Sequence, residues 1–488
     1  MANSSLKSTL AVSLNNYLDA GAIVAGASGI TLWKNYLELS EMHLGWINAL
    51  SANALGAAIG AIIGGFLADK FGRKFIFTYN LLVYMLGVLI IMLSVNFPML
   101  LAGFLITGIS VGVGVPASWT YISESSEVHN RGRNICISQM SWGVGPMVIL
   151  LFGMLFAPGG YLFDAVQHIA SLFTDTTGYD AVASAMNALQ DADIDTSKLK
   201  GANDVMQAMT SLGLSFDASS FTQAYNAYVS TNVFSSRVVF FTLFVVAFIA
   251  WNLQRGLQES AEFETAKNTK RSGIIANIRL LFTNRIAVKT AAFLAVIYLT
   301  WNLVASVLGF FLPHICETVG GLSNEQANWI ASTQWMATVI ITLGISLLID
   351  RISHKLIYVL GLIIAISAWI LIVTADASSS AILWTFAILW GIQSGLSVQI
   401  FYALWGSELF PAKFRAGAQG LMFFIVRGLS ALGGLTFTHV YGEKGEGFTV
   451  IAWCMVALLT ISLIVGFIGA PNTRGKSLEQ ITRERYGE

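Results

Sequence analysis

The run LGWINALSANALGAAIGAIIGGFLA, residues 44–68, holds no charged side chain. Neither does TVIAWCMVALLTISLIVGFIGAP, residues 449–471. Each could cross a hydrocarbon core about 30 Å thick, which takes about 20 residues of helix. In lipid every backbone N–H and C=O must be satisfied internally, so such runs fold as helices. Only 11% of the 488 residues are charged, against about 25% in soluble domains. A polytopic membrane protein follows.

Twelve spans are predicted, near 11–33, 44–68, 75–95, 99–123, 134–157, 237–256, 289–313, 326–349, 356–374, 380–407, 416–440 and 448–469. An even count puts both termini on one side. With the N-terminus inside, 21 of the 27 Lys and Arg residues fall in inner segments and five at the outer side. That split obeys the positive-inside rule and makes both termini cytoplasmic. The remaining cation, Arg427, lies within a span.

Other classes of function find little support. Net charge is zero, so nucleic acid has no electrostatic footing. Cys136, Cys316 and Cys454 lie in separate segments and suggest neither a disulfide framework nor a metal site. No nucleotide loop or catalytic triad is recognisable, so neither an enzyme nor a cofactor is expected. MANSSLKSTL shows no signal-peptide pattern, and the first helix is expected to direct insertion.

The chain repeats itself. DKFGRK at 69–74 is echoed by DRISHK at 350–355, and Ser123-Glu124…Arg131 by Ser407-Glu408…Arg415. The offsets, 281 and 284, imply two halves with related six-helix plans, a pattern of transporters. A weaker echo, QESAEFE from 258 and PNTRGKSLEQ from 471, has an offset of 213. The shortfall matches an insertion over 158–236, between spans five and six. It has eight Asp, no Glu and two amphipathic stretches, YDAVASAMNALQ and ANDVMQAMTSLG, and is expected to form a helical outer cap. No outer segment carries an Asn-x-Ser/Thr sequon, which favours a bacterial plasma membrane. The expected units are 1–157 (spans one to five), the insertion 158–236, span six at 237–256, a cytoplasmic linker 257–288 with short surface helices, spans seven to twelve at 289–470, and a tail 471–488.

GGFLADKFGRK (64–74) resembles the signature loop between helices two and three of the major facilitator superfamily. YLDAGAIVAG (17–26), SESSEVHNRGR, SELFPAKFR and PNTRGKSLEQI resemble motifs of its sugar porter family, and QESAEFE stands where that family has Pro-Glu-Ser. The resemblance spans nearly the whole chain except the outer insertion. It implies an all-α fold of 12 helices in two pseudo-symmetric six-helix bundles, working as a monomer by alternating access around a mid-membrane site. It places Asp69, Arg73, Glu124, Arg131, Asp350, Arg351, Glu408 and Arg415 on an inner salt-bridge network that breaks as that side opens. It puts Gln139 on a sugar-contacting glutamine, and Gln399 near a sugar-contacting turn of helix ten. Helix seven departs from the family pattern, reading Thr300, Trp301 and Ser306, with Asn302 beside them. In helix ten, Tyr402 and Ala403 replace Pro-Trp.

Two buried charges stand out. Intramembrane carboxylates are costly and usually functional. Asp19 lies in helix one, where the resemblance implies a proton-carrying aspartate. It could instead be structural, bonded to Asn15 or Asn16. The helix-four arginine that pairs with this aspartate in coupled members is Phe104 here. Arg427, mid-helix eleven, cannot be neutralised by deprotonation. It binds an anionic substrate, replaces the lost arginine as partner of Asp19, or has a structural role such as capping carbonyls, and the first two roles can coexist. Trp301, Trp335, Trp390 and Trp405 offer aromatic faces, and Gln334, Gln393 and Gln399 are polar groups that should face a cavity or another helix.

The sequence therefore predicts a proton-coupled importer of a sugar, polyol or sugar acid, with Gln139, Trp301, Asn302, Ser306, Gln399 and Arg427 at substrate, Asp19 at the proton, and the bilayer, H+ and a small polar solute as its partners. A carrier of organic or aromatic carboxylates is the alternative. A nutrient sensor on a transporter scaffold is another, though sensors usually have long cytoplasmic tails, and 19 residues follow helix twelve here.

Overall fold

The computed structural model describes residues 2–52, 54–192, 194, 199, 201–213, 217–268, 279, 282–322, 324–375, 379–396, 398–441 and 447–487. Parts of the predicted insertion and linker fall outside the described residues. Within them the chain is helical throughout.

The first half contains α1 (Ala2–Leu37), α2 (Glu41–Leu50), α3 (Leu55–Phe71), α4 (Arg73–Met92), α5 (Phe97–Ser125), α6 (Arg131–Phe156), α7 (Phe163–Ser171), α8 (Tyr179–Asp191), α9 (Gly201–Ser211) and α10 (Ala218–Gln254). After α11 (Ala261–Asn268) come α12 (Arg285–Thr318), α13 (Asn324–Ser346), α14 (His354–Thr374), α15 (Ser380–Leu396), α16 (Val398–Glu408), α17 (Arg415–Tyr441), α18 (Phe448–Gly469) and α19 (Leu478–Tyr486).

Eleven spans among the described residues are long and apolar enough to cross a membrane. The twelfth crossing is α1, whose composition is too polar for that measure. Its polar residues Thr9, Ser13, Asn15, Asn16 and Asp19 are all buried, so they face protein rather than lipid. The second predicted span is two helices, α2 and α3, and the tenth is also two, α15 and α16. The sixth is much longer than predicted, because α10 runs well beyond the bilayer at its outer end.

Within the first half α1 packs on α6, α10 and α5, and α4 on α5 and α10. Within the second, α14 packs on α15 and α18, and α12 on α17 and α18. The halves meet chiefly through α3 against α17 and α6 against α13. These are spans two with eleven and five with eight, pairs that exchange under a pseudo-twofold axis. The α3–α17 contact is close because Gly65 and Gly420 face each other. A Cβ on Gly65 would collide with the Ala416 carbonyl, and one on Gly420 with the Ala61 carbonyl. Large apolar side chains such as Leu86, Leu343, Leu347, Ile464 and Phe467 are exposed and form the lipid-facing belt.

Beyond the outer ends, α8, α9 and the first turns of α10 enclose a separate core of Val182, Leu189, Val205, Met209, Phe221 and Tyr225, with Tyr36 of α1 packed against it. Asp217 caps α10, accepting from the Ser220 amide at 3.0 Å.

Candidate functional site

A cavity opens between the two halves. From the first half, Ala20, Ile23 and Val24 of α1 and Gln139, Trp142 and Pro146 of α6 line it. From the second half come Trp301, Asn302, Ala305 and Ser306 of α12, Gln334, Trp335 and Thr338 of α13, Trp390 of α15, Gln399 of α16 and Arg427 of α17. The structure thus gathers all six residues predicted at substrate around one space.

The wall is built of amides and indoles. Gln139 is buried, and among the described residues neither its Oε1 nor its Nε2 has a hydrogen-bond partner. Trp301 Nε1 donates to Gln393 Oε1 at 3.2 Å, which fixes the indole plane. Gln393 itself stays behind the wall. Asn302 Oδ1 accepts from Ser430 Oγ at 2.8 Å, leaving its amide nitrogen to donate. Trp142 and Trp335 meet across the halves with ring centres 5.6 Å apart. Trp405 lies elsewhere, packed among Phe293, Tyr358 and Phe401.

Asp19 sits one residue from the cavity lining. Its Oδ2 accepts from Trp142 Nε1 at 3.0 Å and stands 3.8 Å from Arg427 Nη2. Its other oxygen, Oδ1, has no hydrogen-bond partner among the described residues. The two asparagines weighed as its partners are engaged elsewhere: Asn15 donates to Ser118 Oγ at 2.7 Å, and Asn16 to the Ser138 carbonyl at 2.9 Å. Trp142 was missed in the sequence. It lies three positions after Gln139, on the same helix face, and that spacing could have found it. The Arg427 guanidinium also stacks over Phe423, 4.9 Å from its ring centre.

At the basic, inner face the halves are closed by reciprocal caps. Asp69, at the end of α3, accepts the Ala416 and Gly417 amides of α17 at 3.2 and 2.6 Å. Asp350, before α14, accepts the Gly132 and Arg133 amides of α6, both at 2.9 Å. Each half therefore supplies a carboxylate to a helix N-terminus of the other, where unpaired N–H groups and the helix dipole favour a negative charge. Burial pushes the Asp350 carboxyl up from its ordinary value, opposed by the two amides and Arg131.

Between the caps lies an ion cluster. Glu124 Oε1 takes Arg73 Nη2 and Arg415 Nη1, each at 2.8 Å, and Arg131 Nη1 meets Glu408 Oε1 at 3.0 Å. Arg73 is also 3.6 Å from Asp69. Seven of the eight predicted residues come together. Arg351 does not: it is exposed, and its contribution is a backbone carbonyl that accepts from Arg474.

Three contributors were not singled out from the sequence. Glu259 accepts the Arg73 and Lys74 amides, both at 3.1 Å, and so caps α4. Ser260 donates to Glu124 Oε2 at 2.6 Å, and Glu262 pairs with Arg415 at 3.0 Å. All three lie in QESAEFE, so the motif was visible although its contacts were not. Gly72 joins α3 to α4 with φ of 101°, a left-handed conformation that favours glycine. A Cβ there would strike the Glu259 carboxylate.

Residues 9–174 match the family described as Major Facilitator Superfamily, and residues 252–484 match the one described as Sugar (and other) transporter. The minor myo-inositol transporter IolF of Bacillus subtilis is 34% identical over 490 residues, covering 99% of this chain and 94% of that protein. The niacin transporter NiaP of Acinetobacter baylyi is 37% identical over 128 residues, covering 26% of this chain and 28% of that protein. Among solved structures, the proton:xylose symporter XylE bound to 6-bromo-6-deoxy-D-glucose superposes with a TM-score of 0.72 at 16% identity, covering 99% of this chain and 100% of that one; this likeness carries the fold alone. The full-length identity and the two family matches agree with the bundle and its repeated motifs: the chain belongs to the sugar transporter family of the Major Facilitator Superfamily and is a multi-pass membrane transporter.

Proposed function

We propose that the protein imports a small neutral polyol together with a proton. The observation that carries this reading is the makeup of the cavity. Its wall offers four side-chain amides, from Gln139, Asn302, Gln334 and Gln399, beside the indole faces of Trp301, Trp335 and Trp390. Amides donate to and accept from hydroxyl groups, and indole faces cover the C–H faces of a ring. Arg427 is the one charged residue among the lining residues, and Asp19 stands against it. The full-length similarity to a myo-inositol transporter supports a cyclic polyol as substrate.

In this reading Asp19 carries the proton. Asp69, Arg73, Glu124, Arg131, Asp350, Glu408 and Arg415 form the inner gate, which is closed here while the cavity lies beyond it. The insertion 158–236 is an outer cap on the first bundle, 257–288 links the halves inside, and both termini are cytoplasmic in a bacterial plasma membrane. The carrier acts as a monomer.

A carboxylate substrate is the second reading. It is favoured by Arg427 lining the cavity and by the partial similarity to a niacin transporter. A thermal-shift panel on purified protein separates the two. A ligand at 100 times its Kd adds about 2.7 kcal/mol to the folded state. Stabilisation by myo-inositol and neutral sugars, retained in Arg427→Gln, supports the polyol. Stabilisation by nicotinate or other carboxylates alone, lost in Arg427→Gln, replaces it with the anion carrier.

A further inference from the structure

The two buried charges of the cavity wall belong to different bundles. Asp19 is on α1 of the first half, and Arg427 is on α17 of the second, 3.8 Å away. Both side chains are almost fully buried, at 1% and 4% exposure. Arg427 lies twelve residues along α17 from Arg415, so the pair sits roughly 18 Å from the inner ion cluster at 1.5 Å per residue. It is thus a further tie between the halves, at mid-membrane, separate from the two inner caps and from the ion pairs between them. On the first bundle the place of a partner for Asp19 is taken by apolar packing: Phe104 of α5 sits against Gly26 and Phe240.

We infer that Asp19 and Arg427 form a proton-released latch between the bundles. This rests on the reading of Asp19 as the proton carrier and adds how protonation moves the carrier. While Asp19 is ionised, rocking the bundles apart would strip a buried carboxylate from its cation in a medium that cannot solvate either. The deprotonated carrier is therefore held with its inner face closed. A proton arriving through the outer-facing cavity removes the attraction, and the bundles are free to open inward. Loss of that proton to the cytoplasm restores the charge, and Arg427 draws the empty carrier back. Unlike a tie within one bundle, this one is broken directly by rigid-body rocking of the halves.

The groups around Asp19 are few. Trp142 of α6 donates to it. Tyr17 of α1, Tyr84 of α4, Tyr298 of α12 and Tyr402 of α16 are the phenols within electrostatic reach of Asp19, Arg427 or one another. Of the charged residues of the helices packed on α1, Glu124, Arg131 and Arg133 lie at helix ends, and Arg237, midway along α10, donates to the Ser94 carbonyl and stacks over Trp33, fourteen residues along α1 from Asp19. Asp19 and Arg427 are thus the acidic and the basic side chain at this level among the described residues.

The test measures distance across the inner face. Nitroxide labels on Lys70→Cys and Ser353→Cys, both exposed and on opposite halves, are placed in a background without the three native cysteines. Full-length protein in nanodiscs is read by pulsed electron paramagnetic resonance from pH 5 to pH 9. The wild-type background should show a short distance at high pH and a growing long-distance population at low pH. Asp19→Asn and Arg427→Gln should show the long population at every pH, and Arg427→Lys should restore the pH response. The inference is overturned if Arg427→Gln keeps the wild-type pH response, or if the wild type shows none while still taking up substrate in response to a proton gradient. Absence of gradient-driven uptake in the wild type would instead overturn the proton-coupled reading itself.

Discussion

Asp69→Ala removes one of the two reciprocal caps. Asp69 accepts the second and third amides of α17 at 3.2 and 2.6 Å, from the opposite bundle. Losing such a cap costs about 1 kcal/mol. Loss of the charge facing the helix dipole in a partly buried setting adds up to about 2 kcal/mol. The bond crosses the bundle interface, so the inner-closed state bears this loss and the inner-open state does not. A bias of roughly 2–3 kcal/mol shifts the closed-to-open ratio by about 30- to 150-fold. The readout is alkylation of Ser407→Cys, a site fully buried beneath the inner gate, in the cysteine-free background. Maleimide added from the inner side should react about 30- to 150-fold faster in Asp69→Ala. Asp69→Asn, which keeps one accepting oxygen, should fall between. Asp350→Ala should match Asp69→Ala, because Asp350 makes the equivalent bonds to Gly132 and Arg133. Alkylation within threefold of the wild-type rate in both alanine variants would refute the assignment of these caps to the closed gate.

Gly65→Val places side-chain atoms against the Ala416 carbonyl across the bundle interface; overpacking costs about 1–3 kcal/mol, so the same alkylation assay should report an inner face that closes poorly, and unchanged reactivity counts against the interface. Gln139→Ala removes an amide that has no partner inside the protein; losing one substrate hydrogen bond, about 0.5–1.5 kcal/mol, should raise the KM of uptake roughly 2- to 13-fold, and an unchanged KM would remove Gln139 from the site. Hydrogen bonds from Ser219 and Ser220 hold the Asp217 carboxyl at about 2, below its ordinary 3.8. A depressed folded value stabilises the protein above the unfolded pKa and ceases to do so as pH falls through the folded one. Asp217→Ala should therefore speed amide exchange in the first turn of α10 at neutral pH, with the difference from wild type vanishing below about pH 2.

Much of the fold was legible because lipid enforces simple rules. Charge-free runs gave the crossings, and the echo of Asp69 in Asp350 gave the two halves. The inner network was legible for the same reason: Glu124, Arg131, Glu408 and Arg415 recur at matched spacing. What the sequence hid was tertiary. Nothing local tells that Glu259 reaches back 186 residues to the Arg73 amide, or that Arg351 turns outward while Asp350 beside it turns in. The break in the second span was also hidden, since neither a charge nor a proline marks the join between α2 and α3. Asp19 and Arg427 were each visible as buried charges, but their pairing depends on two helices 400 residues apart in sequence. The α1 span is the converse case: its polar face lowers its hydropathy because that face is buried against α5, α6 and α10.

Proton-driven uptake tests the central claim most directly. Purified protein is reconstituted in liposomes, and radiolabelled myo-inositol uptake is followed with the interior made alkaline. The account predicts accumulation above equilibrium that a protonophore abolishes, and an Asp19→Asn variant that exchanges label across the membrane without accumulating it. Uptake that ignores the pH gradient, or accumulation that survives Asp19→Asn, would contradict it.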